Sequence, residues 1–394
     1  MLKTPFYYYD LGLLNNTLSS LNDAISGKNY NVHYAIKANA EERVLSLIKD
    51  YGLGADCVSG NEVQRALDIG FEANEIVLAG VGKTDDELEL AIGNNIHSIN
   101  CESIEELEVI NQVAGNLNSK AKIAFRLNPN IDAQTHRHIT TGLNENKFGI
   151  PVADLGIAVD ELEKFENIKL TGVHFHIGSQ ILSLNPYAKL SYAVNEVNSF
   201  LESRNIEIEH LNLGGGLGIN YNNPDEQPIP NFEEYFKVFD KFLHPKPNQT
   251  VHFELGRSIV GQMGSLISKV LYVKAGKQSN FAIIDAGMTD LIRPALYNSY
   301  HRIENISSNE ATEPYKVVGP ICESTDTFGE AELNKTQRGD LLMIRSAGAY
   351  GQVLSSNYNL RDRAESVYSD EVKFDSIVKE KRGAEKPSEK EVAV

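Results

Sequence analysis

Hydrophobic and polar positions along this chain switch repeatedly between a period of two and a period near 3.6. Apolar, β-branched runs over residues 32–38, 54–59, 76–80, 97–101, 122–127, 172–178, 208–213 and 251–255 read as eight short strands. The intervals 41–51, 60–70, 85–93, 104–114, 152–165, 187–204 and 232–242 carry apolar residues three and four apart and read as helices. Each interval is long enough for a crossover that returns the next strand parallel to the last. Eight alternations in about 225 residues match a (β/α)8 barrel and exceed the usual strand number of a doubly wound sheet. Ahead of them, residues 6–9 read as a strand and 11–26 as a helix.

Past Arg257 the pattern changes. Aromatic and β-branched runs at 259–273, 281–285, 315–318 and 341–345, broken by Gly and Asn, predict a mostly antiparallel β-domain to which the N-terminal strand can also pair. The expected organisation is an α/β (β/α)8 barrel over 11–257, a β-domain from 1–10 and 258–370, and a tail over 371–394. Within the tail, residues 379–390 show no apolar face and are expected to be disordered.

A length of 394 residues is too much for one compact core, in keeping with this division. The formal charge of −17 argues against nucleic acid and anionic membrane surfaces as partners and leaves small metabolites. Cys57, Cys101 and Cys322 stand too far apart for a disulfide framework or a zinc site, which suits a reducing compartment. No apolar run reaches the ~20 residues of a membrane span. The start of the chain has no apolar leader core, so a cytoplasmic enzyme is expected.

The chemistry collects where strands end. Lys37 closes the first barrel strand; in a partly dry mouth such an amine can lose its proton and act as a nucleophile, whereas in water it merely ends a strand. After the seventh strand Gly214, Gly215 and Gly216 follow one another, letting bare backbone N–H groups approach an anion where barrels hold phosphate; a tight turn is the competing explanation. After the sixth, His174 and His176 fall on one face. A third metal ligand does not recur nearby, so no metal is expected; an imidazole lying flat under an aromatic ring, with Ser179 donating to a phosphate, fits the glycine run better. For His174 a satisfied core position is the alternative. The eighth strand delivers Glu254 and Arg257. A carboxylate there stays ionised only beside a cation, either a protonated ring nitrogen or Arg257 in a structural ion pair.

Taken together and in order, Tyr34-Ala35-Ile36-Lys37-Ala38-Asn39, His176-Ile177-Gly178-Ser179-Gln180, the triple glycine, Glu254-Leu255-Gly256-Arg257, Arg293-Pro294-Ala295-Leu296-Tyr297, Cys322-Glu323-Ser324 and Gly348-Ala349-Tyr350 resemble the fold-type III pyridoxal-phosphate decarboxylases, over residues 5–360. Leu255 stands where that family usually has proline. The resemblance implies that Lys37 holds pyridoxal phosphate covalently, that His176 stacks on its ring, and that Gly214, Gly215, Gly216 and Ser179, with Gly256 and Arg257, hold its phosphate. Glu254 would keep the ring nitrogen protonated, and Asp56, Arg126 and Tyr350 are further cofactor-site positions. Cys322 would reprotonate the carbon that loses CO2; without the resemblance, a buried inert thiol is the simpler reading.

Arg257, Arg293 and Tyr297 would clamp the far carboxylate of the substrate, Glu323 would take its distal ammonium, and Tyr350 is a further substrate-site position. This pattern implies meso-diaminopimelate as substrate and L-lysine as product, in a homodimer whose Cys322 segment serves the neighbouring subunit. Alternatives on the same scaffold are decarboxylases of basic amino acids or carboxynorspermidine, an alanine racemase, or a non-catalytic pyridoxal-phosphate carrier. Carriers resemble a barrel alone, whereas this chain continues well beyond 257.

Overall fold

The computed structural model describes residues 2–132, 147–277 and 280–383. The chain forms two units. One comprises Asn15–Ile219 and Ile229–Ile259, the other Met1–Leu14, Asn220–Pro228 and Val260–Val394.

The first unit is a closed barrel of eight parallel strands: β1 (Tyr30–Ala35), β2 (Gly54–Cys57), β3 (Ile76–Leu78), β4 (Ser98–Cys101), β5 (Ala121–Asn128), β6 (Ile168–Phe175), β7 (His210–Asn212) and β8 (Thr250–Leu255). They pair in the order β4-β3-β2-β1-β8-β7-β6-β5, and β5 pairs back onto β4 to close the ring. All eight expected strands are present, with ends moved by a few residues. A two-residue strand, Ile150–Pro151, adds beside β5.

Parallel strands are covered on both faces, and here the two faces differ. On β8, Phe253 points outward and packs edge-on against Phe236 and Phe239 at centroid distances of 4.9 and 5.0 Å. Those rings belong to the helix Phe232–Phe242, whose buried face is Phe232, Tyr235, Phe236 and Phe239. Burial of each such ring stabilises by about 1.5–3 kcal/mol. The crossover helices start where side chains accept otherwise orphaned backbone N–H groups: Ser59 from Glu62, Ser103 from Glu106, Asn231 from Glu234, and Thr84 in a reciprocal capping box with Glu87.

Alternation turns His252 and Glu254 of β8 inward, and the inside of the barrel is polar. Asn100 on β4 reaches Glu254 on β8, strands on opposite sides of the ring, so this contact crosses the interior. Towards the strand starts lies a layer of four imidazoles. His33 stacks on His252 at 5.0 Å, His97 on His252 at 4.8 Å, and His210 sits 4.7 Å from His97. A hydrogen bond of 2.7 Å joins His33 Nε2 and His252 Nδ1. Gly172 on β6 makes room for this layer, since a Cβ there would lie 2.3 Å from His210 Nε2.

In the second unit the strand Gly264–Lys274 pairs antiparallel with Phe6–Tyr9, Asn280–Ile284 and Leu341–Ile344, so the N-terminal strand joins it as expected. Thr312–Val318 runs parallel to Asn280–Ile284 and antiparallel to Thr327–Asn334. Ile303–Asn305 pairs antiparallel with Leu341–Ile344, and Glu365–Tyr368 runs parallel to Phe6–Tyr9. The strands at 303, 327 and 365 carry no strong pattern in the sequence.

Two expected boundaries move. Residues 220–228, expected in the barrel, belong to the second unit, where Arg345 pairs with Asp225 at 2.6 Å and Gln262 donates to the carbonyls of Pro224 and Gln227. The expected tail begins with a helix, Phe374–Gly383. Phe374 lies 5.5 Å from the Tyr8 ring, and Ile377 is buried with Phe6, Tyr8 and Ile267, so spaced apolar residues anchor an otherwise charged segment. Residues 384–394 lie outside the described residues. Among the described residues, no helix is long and apolar enough to cross a membrane.

Burial holds all four imidazoles of the inner layer below their ordinary value of 6.5, His97 at about 4. Above 6.5 they are neutral whether the chain is folded or not. Below it the unfolded chain takes up protons that the folded barrel refuses, so stability falls with acid through that window. Calorimetry between pH 7 and 5 should show a steep drop in Tm, and a His33→Asn, His252→Asn double variant should show a flatter one. An unchanged pH slope would remove the layer from this role.

Candidate active site

β1 ends at Ala35, and the chain makes one 3-10 turn, Ile36–Ala38, before the helix Glu42–Asp50. Ile36 and Ala38 are buried, and the Tyr34 hydroxyl donates to the Asn39 carbonyl at 2.9 Å. This fixes the turn and sends Lys37 towards β2, where its Nζ lies 2.6 Å from Asp56 Oδ2. Asp56 is fully buried, and its Oδ1 has no hydrogen-bond partner among the described residues. Burial and the nearby Glu254 charge lift its carboxyl above the usual carboxylate range, although Lys37 pulls the other way.

Glu254 on β8 is met by side chains from three other strands. Its Oε1 accepts from Asn212 Nδ2 at 2.8 Å and from Asn100 Nδ2 at 3.3 Å, and its Oε2 lies 2.8 Å from His174 Nε2. Burial opposes ionisation. The neighbouring His174 and its hydrogen bond, with Lys37 behind, outweigh burial and hold the carboxyl well below its usual range. His176, just past β6, accepts from the Gly215 N–H through Nδ1 at 3.3 Å. Burial, then Arg126 and Lys37, push its imidazole down to about 3, so it is uncharged at neutral pH.

The glycine turn is forced by its surroundings. Gly214 and Gly216 have φ of +64° and +102°, and a Cβ on Gly215 would lie 1.8 Å from the Glu254 carbonyl oxygen. Asn212 Oδ1 accepts from Gly214 N at 2.9 Å while its Nδ2 serves Glu254, so one side chain ties the turn to the carboxylate. Beside them Arg257 Nη2 donates to Ser179 Oγ at 3.0 Å, and Gly256 packs against Ala35 and Ala38. Arg126 on β5 pairs with Glu102, which also accepts from the N–H groups of Gly80 and Gly149, and Phe148 lies 4.7 Å from the guanidinium.

The barrel therefore gathers Lys37, Asp56, Arg126, His176, Ser179, Gly214, Gly215, Gly216, Glu254, Gly256 and Arg257 at the C-terminal ends of its strands. An amine beside a carboxylate, a second carboxylate kept ionised, an uncharged flat imidazole and a turn of bare backbone suit a flat cationic ring bearing an aldehyde and a phosphate. Among the described residues no group of three His, Cys, Asp or Glu could hold a metal. Sequence reasoning missed Asn100, Glu102 and Asn212 and left His174 undecided. The available signal was polar residues at inward positions of parallel strands, which usually carry branched apolar side chains.

The remaining expected residues belong to the second unit. Arg293 is buried at the start of the helix Arg293–Tyr297. Cys322 is exposed, not a buried thiol, and its N–H donates to Asn359 Oδ1 at 3.2 Å. Glu323 Oε1 accepts from the Tyr358 hydroxyl at 2.8 Å. Tyr350 has a φ of +56°, a strained conformation for a bulky residue and a common mark of functional loops.

Residues 11–261 match the family described as pyridoxal-dependent decarboxylase, pyridoxal binding domain. The chain is 54% identical over 373 residues to a diaminopimelate decarboxylase of Bacteroides thetaiotaomicron, covering 94% of this chain and 97% of that one. It is 39% identical to one of Neisseria meningitidis, over 93% of this chain and 88% of that one. A solved structure of diaminopimelate decarboxylase from Helicobacter pylori complexed with L-lysine superposes with a TM-score of 0.88 at 40% identity, covering 93% of this chain and 92% of that one.

Gly215→Ala should destabilise the barrel by about 1–3 kcal/mol, the usual cost of overpacking, because the obstacle is a backbone carbonyl that cannot swing aside. Urea denaturation measures this, and a variant as stable as the parent would mean that the turn is looser than described.

Proposed function

This chain belongs to the pyridoxal-dependent decarboxylase family, and from that premise we propose that it removes CO2 from meso-diaminopimelate and releases L-lysine. It is a pyridoxal-phosphate-dependent carboxy-lyase of lysine biosynthesis. The observation that carries the reading is the Lys37–Asp56 pair, which shares the barrel mouth with an ionised Glu254, within a chain more than half identical to a diaminopimelate decarboxylase.

The residues fit the cofactor. Asp56 Oδ1 is a buried acceptor with no partner among the described residues, Glu254 is held as an anion ready for a cationic ring nitrogen, and the glycine turn leaves a stretch of backbone without Cβ atoms for a phosphate to approach. When bound, pyridoxal phosphate supplies the electron sink for the bond that breaks. Lys37 would hold it through the side-chain amine, and Asp56, 2.6 Å from that amine and with raised proton affinity, would take the proton that the ammonium must shed. Glu254 would keep the proton on the ring nitrogen, and uncharged His176 would hold the ring without competing for that charge. Gly214, Gly215, Gly216, Ser179, Gly256 and Arg257 hold the phosphate; Arg126 and Tyr350 complete the cofactor's surroundings.

At the far end of the substrate, Arg257, Arg293 and Tyr297 receive the carboxylate that is kept, Glu323 receives its ammonium, and Tyr350 is a further substrate-site residue. As the carbon–carboxylate bond breaks and CO2 leaves, the carbon takes one proton, supplied by the Cys322 thiol. The exposure of Cys322 suits a residue that works in a neighbouring subunit, and we propose a homodimer with shared sites. A cytoplasmic setting fits three cysteines that are all free thiols.

The direct test is release of CO2 and L-lysine from meso-diaminopimelate by the purified chain with pyridoxal phosphate; a panel of other amino acids turned over instead would overturn the substrate. After borohydride reduction, mass spectrometry should find the cofactor on the peptide carrying residue 37, and Lys37→Ala should lose it. Label elsewhere would displace Lys37. Cys322→Ala should slow turnover at least tenfold with cofactor content intact, the order of effect of losing a proton donor. An undiminished rate would assign reprotonation to another group.

A further inference from the structure

The guanidinium of Arg293 is held from two sides by residues to which no role has so far been given. Arg293 Nε donates to His301 Nε2 at 3.3 Å, and Nη2 donates to Ser299 Oγ at 3.3 Å. The guanidinium carbon lies 5.3 Å from the centre of the Tyr221 ring, which meets the His301 ring edge-on at 5.0 Å and 76°. Arg293 is only 6% exposed and His301 1%. One ring thus bonds an edge of the fork while the other covers its face.

The tautomer of His301 follows from its neighbours. A guanidinium has donors only, so the ring nitrogen facing it must accept. The proton therefore sits on Nδ1, which donates to the Arg345 carbonyl at 2.9 Å. The chain folds back on itself to build this corner. Asn298 caps the short helix with a φ of +53°, and Ser299 N returns to the Arg293 carbonyl.

We infer that His301 is a positioning residue, assisted by Ser299 and Tyr221, which orients the Arg293 fork and thereby sets the enzyme's preference for substrates whose far end carries a carboxylate. The inference rests on the reading of Arg293 as the receiver of that carboxylate. An arginine locked before the ligand arrives keeps its two-pronged geometry without losing rotamer freedom on binding, so the selectivity belongs to the corner as much as to the cation. meso-Diaminopimelate and L-lysine both keep the far carboxylate. 1,5-Diaminopentane, lysine without it, does not.

The test uses the holoenzyme and compares KM and kcat for meso-diaminopimelate with inhibition by L-lysine and by 1,5-diaminopentane. His301→Leu should raise KM and weaken L-lysine about tenfold, the equivalent of one charge-assisted contact, while kcat stays within about threefold and 1,5-diaminopentane is unaffected. His301→Gln, whose amide can accept from Arg293 and donate to the Arg345 carbonyl, should restore both. Ser299→Ala, at a half-buried site that tolerates the change, should act in the same direction by about threefold and keeps the test decisive if His301→Leu does not fold. Arg293→Ala is run in parallel. If it discriminates between L-lysine and 1,5-diaminopentane while the His301 and Ser299 variants do not, the positioning role is overturned and the substrate assignment stands. If Arg293→Ala weakens both inhibitors equally, the carboxylate reading of Arg293 itself falls, and the inference with it.

Discussion

An ionised carboxylate in the middle of a protein is the constraint on which this barrel is built. Left alone at its depth, Glu254 would bind a proton, since burial is the largest influence on it and favours the neutral form. The barrel overrides burial by aiming donors from three other strands at one side chain: Asn100 from β4, His174 from β6 and Asn212 from β7. No local segment can do this, because the donors come from around the whole ring. Closure of the barrel therefore brings together the groups that favour the ionised form of Glu254. Through the second bond of Asn212 to Gly214, the same event sets the glycine turn.

The polar interior has a cost that the outside offsets. A buried charge destabilises unless its hydrogen bonds are complete, and even then the pair adds little net stability. The apolar burial lies instead between strands and helices, where Phe253 meets the aromatic face of the helix Phe232–Phe242. Alternation along β8 keeps the roles apart, with His252 and Glu254 inside and Phe253 outside. A one-residue slip of that strand would exchange them, so the pattern that buries the helix also fixes the register of the site.

What could be read from the sequence was whatever local periodicity and strand-end position encode. The eight strands show as β-branched runs, and Lys37, His176, the triple glycine and Glu254 show as polar or bare positions where such runs stop. The partners of Glu254 were illegible because they lie 154, 80 and 42 positions away in sequence, and nothing near Asn100 announces a carboxylate across the ring. Residues 220–228 were misassigned for the same reason, since the pair joining Asp225 to Arg345 spans 120 positions. The Phe374–Gly383 helix was hidden by its charge. Its anchors, Phe374 and Ile377, are three residues apart and too few to raise a periodic signal.

The carboxylates of the barrel and the arginine corner of the second unit are built from different segments of the chain. The barrel residues prepare proton positions: an amine beside a carboxylate whose proton affinity is raised, a second carboxylate whose affinity is lowered, and an imidazole too weak a base to interfere. None of these distinguishes one amino acid from another, because every amino acid presents the same reacting end. Under the proposed function discrimination falls to groups that meet the other end, and the arginine given that part is buried in the second unit with its edge and face taken by His301, Ser299 and Tyr221. That corner is closed within the second unit, whereas the donors around Glu254 all lie in the barrel.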